Sequence, residues 1–262
     1  MRSKINITSP NQTNETESRE NRIGVITEVT RMKHIAIILA GGTGSRVGGK
    51  TPKQLLPLED GRSILEHSVD AFEQAPCIDE IAIVMHPDFM EDAKRLCEQN
   101  TWRKVTQIIP GGDERWESSW HAILAFSDQP SDVSLWFHDA ARPFVSQRIL
   151  ADIAEALERN DAVTVAVPVT DTLYKVKGER LKVKVNSIPS RSEYMRAQTP
   201  QAFKYEVVFD AYVKAMAEDE VIATDDAGIV RKYAPRVPIV IVAGDEANKK
   251  ITYKEDLGKG EK

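Results

Sequence analysis

A glycine-rich segment near the amino end of the chain combines the two features that a phosphate site needs. Glycines cluster in residues 41–49, and Arg46, Lys50 and Lys53 lie among or directly after them. Glycines let backbone N–H groups approach phosphate oxygens closely, and the cations balance the charge of the ligand. The apolar run before the segment is typical of a strand. The pattern therefore predicts an anion site, not a simple turn.

Two well-known glycine motifs compete for this segment. Residues 44–51 match the P-loop pattern G-x-x-x-x-G-K-[ST], and the apolar run that ends at Asp139 would supply an acid for magnesium. A P-loop must open a helix at its lysine, but Pro52 disfavours helical angles in the residue before it and Pro57 limits any helix to about a turn. A P-loop NTPase or kinase is therefore a distant alternative. The dinucleotide-binding fingerprint is excluded because its third glycine position holds Val47.

Short apolar runs alternate with amphipathic segments along the rest of the chain. The apolar runs are 34–39, 81–85, 105–109, 133–137, 162–167 and 238–242, and the segments with helical periodicity are 63–74, 88–98, 114–126, 147–159 and 205–217. Continuous apolar runs are typical of parallel strands that are covered on both faces. The alternation predicts a Rossmann-like, doubly wound α/β fold with a mostly parallel sheet and ligands at the carboxyl ends of the strands.

Two regions depart from this alternation. Residues 173–192 alternate apolar and basic side chains around 177–179, which predicts a β-hairpin with one wetted face. A lone two-stranded ribbon is only marginally stable, so we expect this arm, at about 172–192, to pack on a second subunit. Residues 1–31 are mostly polar and are predicted to be a disordered tail. Residues 32–262 are predicted to form a single domain.

The overall composition excludes several classes of protein. The chain has 35 Lys and Arg against 40 Asp and Glu, a formal net charge of -5, which disfavours a nucleic-acid partner. No apolar run approaches the eighteen or so residues that a membrane span needs. Two cysteines cannot make a disulfide framework or a four-cysteine zinc site, so a reduced, cytoplasmic setting is expected.

Several further motifs follow the glycine segment in a specific order. They are 111–115 (GGDER) with Ser118, 138–143 (HDAARP), 168–172 (PVTDT), 198–201 (QTPQ), 224–227 (TDDA) and 249–252 (KKIT). Together with LAGGTGSR at 39–46 and PKQ at 52–54, they resemble the cytidylyltransferases that activate polyol phosphates. The resemblance covers residues 34–257. Each motif alone is modest, but the whole set in register is highly specific.

The resemblance implies an enzyme, a nucleotidyltransferase that joins CTP and a polyol phosphate to give a CDP-polyol and pyrophosphate. The attacking phosphate oxygen is already anionic, so the reaction needs no general base, and catalysis rests on positioning and electrostatics. The catalytic residues that it implies are Arg46, Lys53 and Lys250. The implied nucleotide-binding residues are Ala40, Gly41, Gly42, Thr43, Gly44, Gly112, Asp113, Ser118, Asp139, Ala140 and Arg142.

The same resemblance extends to a metal and to the acceptor. It implies Mg²⁺ as the cofactor, held by Asp139 together with the phosphates of CTP. The implied acceptor-binding residues are Thr172, Arg191, Thr224 and Asp225. It further implies a homodimer in which each subunit's arm donates Arg191 to the site of its neighbour.

Two branches of this family use different acceptors. Residues 39–42 and 188–191 resemble the branch that uses D-ribitol 5-phosphate, whereas 138–142 and 224–227 resemble the branch that uses 2-C-methyl-D-erythritol 4-phosphate in isoprenoid synthesis. The balance favours ribitol 5-phosphate slightly, with the methylerythritol compound as the alternative acceptor.

Overall fold

The computed structural model describes residues 31–42, 51–129, 132–178 and 183–258, and the elements below lie within the compact unit Met32–Lys262. The strands are β1 (Lys33–Ala40), β2 (Glu80–Met85), β3 (Val105–Pro110), β4 (Val133–Asp139), β5 (Ala162–Pro168), β6 (Lys175–Lys177), β7 (Lys184–Ser187), β8 (Met195–Lys204) and β9 (Val240–Ala243). The α-helices are α1 (Ile64–Glu73), α2 (Met90–Asn100), α3 (Arg115–Ala125), α4 (Gln147–Leu157), α5 (Tyr205–Met216) and α6 (Asp226–Tyr233). The predicted tail, residues 1–31, lies almost wholly outside the described residues.

Seven of the strands form one sheet in the order β3-β2-β1-β4-β8-β5-β9. The pairs β1–β2, β1–β4, β2–β3 and β5–β9 are parallel, and β8 runs antiparallel to both β4 and β5. This confirms the predicted α/β fold with a mostly parallel sheet. Sequence analysis did not predict β8, because its centre contains the polar residues Gln198, Thr199 and Gln201, which are buried in the sheet.

Both faces of the sheet are covered by helices, as the continuous apolar runs predict. In β1, Ala36 and Ile38 pack on the face covered by α1, α2 and α4, while Ile35 and Ile37 pack on the face covered by α3, α5 and α6. All four side chains are fully buried. Replacing a buried isoleucine such as Ile38 with alanine should cost about 2–5 kcal/mol of unfolding free energy.

The parallel strands bring four loops to one edge of the sheet. In the register, Leu39 lies opposite Asp139, Ala40 opposite Met85, and Met85 opposite Pro110. The chain therefore leaves β1, β2, β3 and β4 at neighbouring points, which is where open α/β sheets bind ligands.

The helical start that a P-loop requires is not present in residues 51–63. This stretch forms only the 3₁₀ helix Lys53–Leu55, and α1 begins at Ile64 after its N-cap Ser63. The observed path agrees with the effect expected of Pro52 and Pro57 and leaves no support for the P-loop alternative.

The predicted arm is a separate two-stranded antiparallel ribbon made of β6 and β7. Gly178, which follows β6, has a φ of +109°, a conformation that glycine adopts without strain. Val176 and Val185 pair across the ribbon and are 55% and 53% exposed. Among the described residues, no helix combines the length and apolar character needed to cross a membrane.

Candidate active site

A cavity of about 660 Å³ lies at the carboxyl ends of β1 to β4. It is lined by these predicted site residues: Gly41, Gly42, Lys53, Gly112, Asp113, Ser118, Asp139, Ala140 and Lys250. These positions span more than 200 residues of sequence, and the sheet brings them to one place. Of the other predicted residues, Thr43, Gly44 and Arg46 lie outside the described residues, as does Lys50.

Small residues form one wall of the cavity. A Cβ atom added to Gly41 or to Gly111 would lie 3.0 Å from the hydroxyl oxygen of Ser118, so side chains at these positions would crowd Ser118. The Gly112 N–H donates a hydrogen bond to that same oxygen, at 3.1 Å. Ser118 is buried in α3, and its hydroxyl therefore anchors the backbone that follows β3.

Gln54 holds the start of the glycine segment through its side-chain amide, a role that the sequence did not predict. Its side-chain amide donates hydrogen bonds to the backbone carbonyls of Ala40 and Gly42, the latter at 2.7 Å. Gln54 is buried within the 3₁₀ helix Lys53–Leu55. Its place in the PKQ motif was visible in the sequence, but which carbonyls it contacts depends on the path of the loop.

Two lysines far apart in sequence meet beside the segment 249–252. Lys53 Nζ donates a hydrogen bond to the Ile251 carbonyl at 2.7 Å. The Ile251 N–H in turn donates to the Ala141 carbonyl at 2.8 Å, which fixes the segment on the loop after β4. Lys250 Nζ lies 2.8 Å from Oδ2 of Asp139. Of the three catalytic residues that the resemblance implies, Lys53 and Lys250 lie within the described residues, and both line the cavity.

Asp139 is the carboxylate around which these cations gather. Its Oδ1 accepts a hydrogen bond from Arg115 Nε at 3.1 Å, and Arg142 Nε lies 3.9 Å from Oδ2. Burial opposes ionisation of Asp139, but the positive charges of Arg115 and Lys250 outweigh it and hold its pKa well below the usual range. Asp139 is therefore a carboxylate at every pH of biological interest.

Arg142 braces the cavity from behind instead of lining it. Its Nη1 donates to the Asn248 carbonyl at 2.8 Å, close to the segment that carries Lys250. Burial lowers the pKa of Arg142 from its usual value, although Asp139 acts in the opposite direction. Of the predicted nucleotide-binding residues, Arg142 and Ala40 lie outside the set that lines the cavity in the described part of the chain.

His138 is fully buried beside Asp139 and packs on Phe72, with ring centroids 4.9 Å apart. Its Nε2 lies 3.0 Å from the Arg142 carbonyl and its Nδ1 lies 3.1 Å from the Thr199 hydroxyl. Burial lowers the pKa of His138 to about 4, so the ring is neutral at neutral pH. A carbonyl only accepts, so we assign the proton to Nε2, and Nδ1 accepts from Thr199. The ring is a structural partner.

Arg115 is a second residue whose role sequence analysis did not predict, although it lies in the GGDER motif. Besides its contact with Asp139, its Nη1 donates to Oδ2 of Asp226 at 2.7 Å. Asp226 is fully buried and also accepts a hydrogen bond from the Tyr212 hydroxyl at 2.7 Å. Burial opposes the charge of Arg115, but Asp226 and Asp139 outweigh it and raise its pKa above the usual range.

The residues expected to bind the acceptor do not line this cavity in the described part of the chain. Thr172, Arg191 and Thr224 are exposed, and Arg191 Nη1 donates to the Thr170 carbonyl at 2.6 Å. Asp225 caps α6: its Oδ1 accepts from the Gly228 N–H at 2.8 Å, and its Oδ2 accepts from the Gln201 side chain at 2.8 Å. The single chain thus assembles a nucleotide-sized cavity without these four residues.

With this geometry in place, comparison with known proteins decides the family. A family model described as 2-C-methyl-D-erythritol 4-phosphate cytidylyltransferase matches residues 34–262. The chain belongs to this family. The resemblance stated from the motifs is therefore confirmed, and the protein is a cytidylyltransferase, a nucleotidyltransferase that uses CTP.

Individual relatives of this cytidylyltransferase carry two different names. A 2-C-methyl-D-erythritol 4-phosphate cytidylyltransferase from Thermobifida fusca is 41% identical over 232 residues, which cover 88% of this chain and 93% of the relative. A bifunctional ribulose 5-phosphate reductase/CDP-ribitol pyrophosphorylase from Haemophilus influenzae is 37% identical over 229 residues, which cover 87% of this chain but 48% of that relative.

Solved structures agree with the fold of this cytidylyltransferase. The structure of 4-diphosphocytidyl-2C-methyl-D-erythritol synthase from Anaerococcus prevotii matches with a TM-score of 0.73 and 27% sequence identity. The match covers 86% of this chain and 92% of that one.

The residues of the cavity fit a magnesium ion that takes most of its ligands from phosphate and water. No group of three or more metal-ligating side chains occurs among the described residues. Asp139 accepts contacts on both oxygens, yet each carboxylate oxygen has a second lone pair that a cation can use. Because Mg²⁺ often binds through one or two carboxylates and substrate phosphates, Asp139 alone is an adequate protein ligand.

Proposed function

We propose that this cytidylyltransferase transfers the cytidylyl group of CTP to 2-C-methyl-D-erythritol 4-phosphate. The relatives that carry this acceptor in their names reach 41% and 39% identity. The relative named for CDP-ribitol is 37% identical. These comparisons favour the alternative acceptor of the sequence analysis over ribitol 5-phosphate. The HDAAR and TDDA motifs support the same branch.

The observation that carries the proposed chemistry is the meeting of Lys53, Lys250 and Asp139 in one cavity beside a glycine-rich wall. In the proposed reaction, an acceptor phosphate oxygen forms a bond to the α-phosphorus of CTP. The bond from that phosphorus to the bridging oxygen of the β-phosphate breaks, and pyrophosphate leaves. Charge accumulates on the α-phosphate and the leaving group, and fixed cations stabilise it.

Each lysine has a distinct place in this proposal. Lys53 extends from the 3₁₀ helix after the glycine segment, where it can run along the triphosphate with Arg46. Lys250 comes from the segment 249–252 and is held by Asp139 at 2.8 Å, which keeps its ammonium group at the cavity before any ligand arrives. Such preorganised charges cost no rearrangement during the reaction. No titrating side chain is needed to take up a proton.

Asp139 would also hold magnesium in the loaded enzyme. The metal would neutralise charge on the phosphates of CTP. Arg115 and Arg142 keep Asp139 oriented, and the deeply lowered pKa of this carboxyl keeps it available as an anionic ligand.

For the nucleoside, the proposal relies on the wall made by Gly41, Gly112, Asp113 and Ser118. Because Gly41 and Gly111 carry no side chain beside Ser118, backbone groups can approach a base edge closely. A pyrimidine is the smaller type of base, and a purine would be rejected by size and by hydrogen bonds that it cannot make.

For the acceptor, we propose that a second subunit completes the site. Large apolar side chains are exposed on and beside the arm, among them Tyr174, Val176, Val185 and Ile188, and exposed apolar surface that extends over several residues is typical of interaction sites. In the homodimer, Arg191 of the neighbouring subunit and Thr172 would hold the acceptor phosphate, with Thr224 and Asp225 near the polyol hydroxyls. The planar guanidinium of arginine binds a phosphate through two hydrogen bonds.

The deciding experiment measures pyrophosphate release from CTP with each of the two acceptors under identical conditions. We expect kcat/KM to be at least about tenfold higher with 2-C-methyl-D-erythritol 4-phosphate, because ribitol 5-phosphate lacks its methyl group and one missing apolar carbon in a pocket is worth about 1–3 kcal/mol. A higher kcat/KM with D-ribitol 5-phosphate would reverse the acceptor assignment. No release with either would overturn the proposed function.

A further inference from the structure

Arg115 joins the two halves of the site with one guanidinium group. Its Nε donates to Asp139 at 3.1 Å, at the end of β4 and at the wall of the cavity. Its Nη1 donates to Asp226 at 2.7 Å, the first residue of α6. Asp226 follows Thr224 and Asp225 directly, so a single side chain ties the acceptor-side segment to the carboxylate beside the nucleotide.

The far end of this bridge is anchored in the core. Asp226 has no exposed surface, and its other carboxylate oxygen accepts a hydrogen bond from Tyr212, which is fully buried in α5. Separating a buried carboxylate from its cation strongly destabilises the folded protein, because it leaves an unpaired charge in the interior. Asp226 and Arg115 therefore have little freedom to move apart. The bridge is therefore a rigid spacer.

One nitrogen of Arg115 has no role within the fold. Arg115 lines the cavity, and its Nη2 is buried with no hydrogen-bond partner among the described residues. A buried donor without an acceptor costs about 1–3 kcal/mol, which a purely structural ion pair would be expected to avoid. This cost indicates that Arg115 is kept at the site for more than its contribution to stability.

We propose that Arg115 is a positioning residue that sets the acceptor segment 224–226 at a fixed distance from Asp139 and the nucleotide. The inference rests on the proposed function, which places acceptor contacts at Thr224 and Asp225. In-line transfer needs the reacting atoms about 3–3.5 Å apart, and a displacement of about 1 Å can cost about 100-fold in rate. Arg115 should therefore affect the chemical step and the acceptor, and CTP binding much less.

Arg115→Lys and Asp226→Asn test the bridge from its two ends. Lysine keeps the charge but cannot reach both carboxylates, and asparagine keeps the shape of Asp226 but loses its charge. Arg62→Lys is the matched control, because Arg62 also joins two partners, Asp70 at 2.6 Å and Asn100 at 3.1 Å, outside the cavity lining.

The expected result is a split between kinetic constants. Both bridge variants should lower kcat about 10- to 100-fold and raise the acceptor KM, while the dissociation constant of CTP stays within about threefold of the wild type. Arg62→Lys should keep all three values. The double variant Arg115→Lys/Asp226→Asn should have a kcat no lower than that of the less active single variant, because both substitutions remove the same interaction.

Several outcomes would overturn the inference. Wild-type kcat in both bridge variants would do so, as would a loss of CTP affinity as large as the loss of kcat, since that would indicate a defect in the nucleotide site alone. Asp226→Glu offers a second variant that retains the charge at one end, should Asp226→Asn fold poorly. It should recover more activity than Asp226→Asn.

Amide hydrogen exchange separates this inference from the proposed function. The Gly228 N–H is capped by Asp225 and reports the order of the acceptor segment without any substrate. We expect faster exchange at residues 226–229 in Arg115→Lys and no change in Arg62→Lys. If the wild type uses neither acceptor, the proposed function fails, whereas unchanged exchange in Arg115→Lys would overturn the inference itself.

Discussion

The nucleotide cavity and the β6–β7 arm are stabilised in different ways within the single chain. At the cavity, Asp139 contacts Lys250 and Arg142, and Arg142 also donates to the Asn248 carbonyl, so two regions of sequence more than 100 residues apart are joined. On the arm, Val176 and Val185 remain more than half exposed and pair with each other across two short strands. The half of the site proposed to bind CTP is preformed, whereas three of the residues proposed to bind the acceptor, Thr172, Arg191 and Thr224, are exposed. Under the proposed function, CTP binding would need one chain and turnover would need two.

The largest expected effect concerns the cations of the preformed half. Lys250→Ala and Lys53→Ala should each lower kcat about 100- to 1000-fold, equivalent to about 2.7–4 kcal/mol, because each removes a preorganised charge from the transition state. Steady-state pyrophosphate release measures the loss. Lys249→Ala is the matched control, since Lys249 is an exposed neighbour outside the cavity lining, and it should retain wild-type turnover. Equal losses at Lys249 and Lys250 would break the assignment.

A pH effect on stability tests the burial of His138 beside Asp139. Burial lowers the pKa of His138 from 6.5 to about 4. Between these two pH values the ring is protonated in the unfolded state and neutral in the folded state. Stability from this residue is fully present above pH 6.5 and falls by about 3 kcal/mol as the pH drops towards 4. Urea unfolding between pH 7 and pH 4.5 measures it. The non-titrating variant His138→Gln should show a flatter pH dependence, and an equally steep one would contradict the packing described for the ring.

A smaller effect should follow from the support beneath the glycine segment. Gln54→Leu leaves the carbonyls of Ala40 and Gly42 without their buried donor, which should cost about 1–3 kcal/mol of stability. CTP affinity should fall as well, because the segment loses its fixed path, while dimerisation should be unchanged. Thermal unfolding and CTP titration test both effects, with Gln74→Leu on the exposed end of α1 as the control. Unchanged CTP affinity would show that Gln54 does not shape the site.

The arm can be tested by mixing two inactive proteins. If Arg191 acts across the dimer, Lys53→Ala and Arg191→Ala variants mixed in equal amounts should regain activity at about a quarter of the sites, because half of the dimers are mixed and each mixed dimer has one intact site. Pyrophosphate release before and after subunit exchange measures the recovery. Mixtures that stay inactive, although subunit exchange is demonstrated, would show that each chain uses its own Arg191.

The sequence was informative where a residue's role follows from local pattern. The apolar run before Asp139 predicted both the strand and the place of the acid at its carboxyl end, and the glycine segment predicted the cavity wall. The KKIT motif could be assigned to the site only through the family resemblance, since nothing local ties Lys250 to a strand more than 100 residues earlier. The hairpin was predicted because its alternation is purely local.

The parts that were missed depend on tertiary contacts. β8 is polar in its centre, and it is stable there because buried partners such as Asn248 satisfy Gln198 and Thr199. The role of Arg115 depends on Asp226, which is 111 residues away in the chain. A motif can show that such a residue belongs to the site, but it cannot show which partner the side chain contacts.

The most direct test of this account compares CTP binding with turnover in a variant whose arm cannot contact a second subunit. The variant Val176→Asp/Val185→Asp places charges on the exposed face of the arm, and sedimentation checks its oligomeric state. The account predicts a folded monomer whose dissociation constant for CTP lies within about threefold of the wild type, while pyrophosphate release with acceptor falls at least about 100-fold. A monomer that turns over acceptor at the wild-type rate, or one that no longer binds CTP, would contradict the division of the site into a preformed half and a shared half.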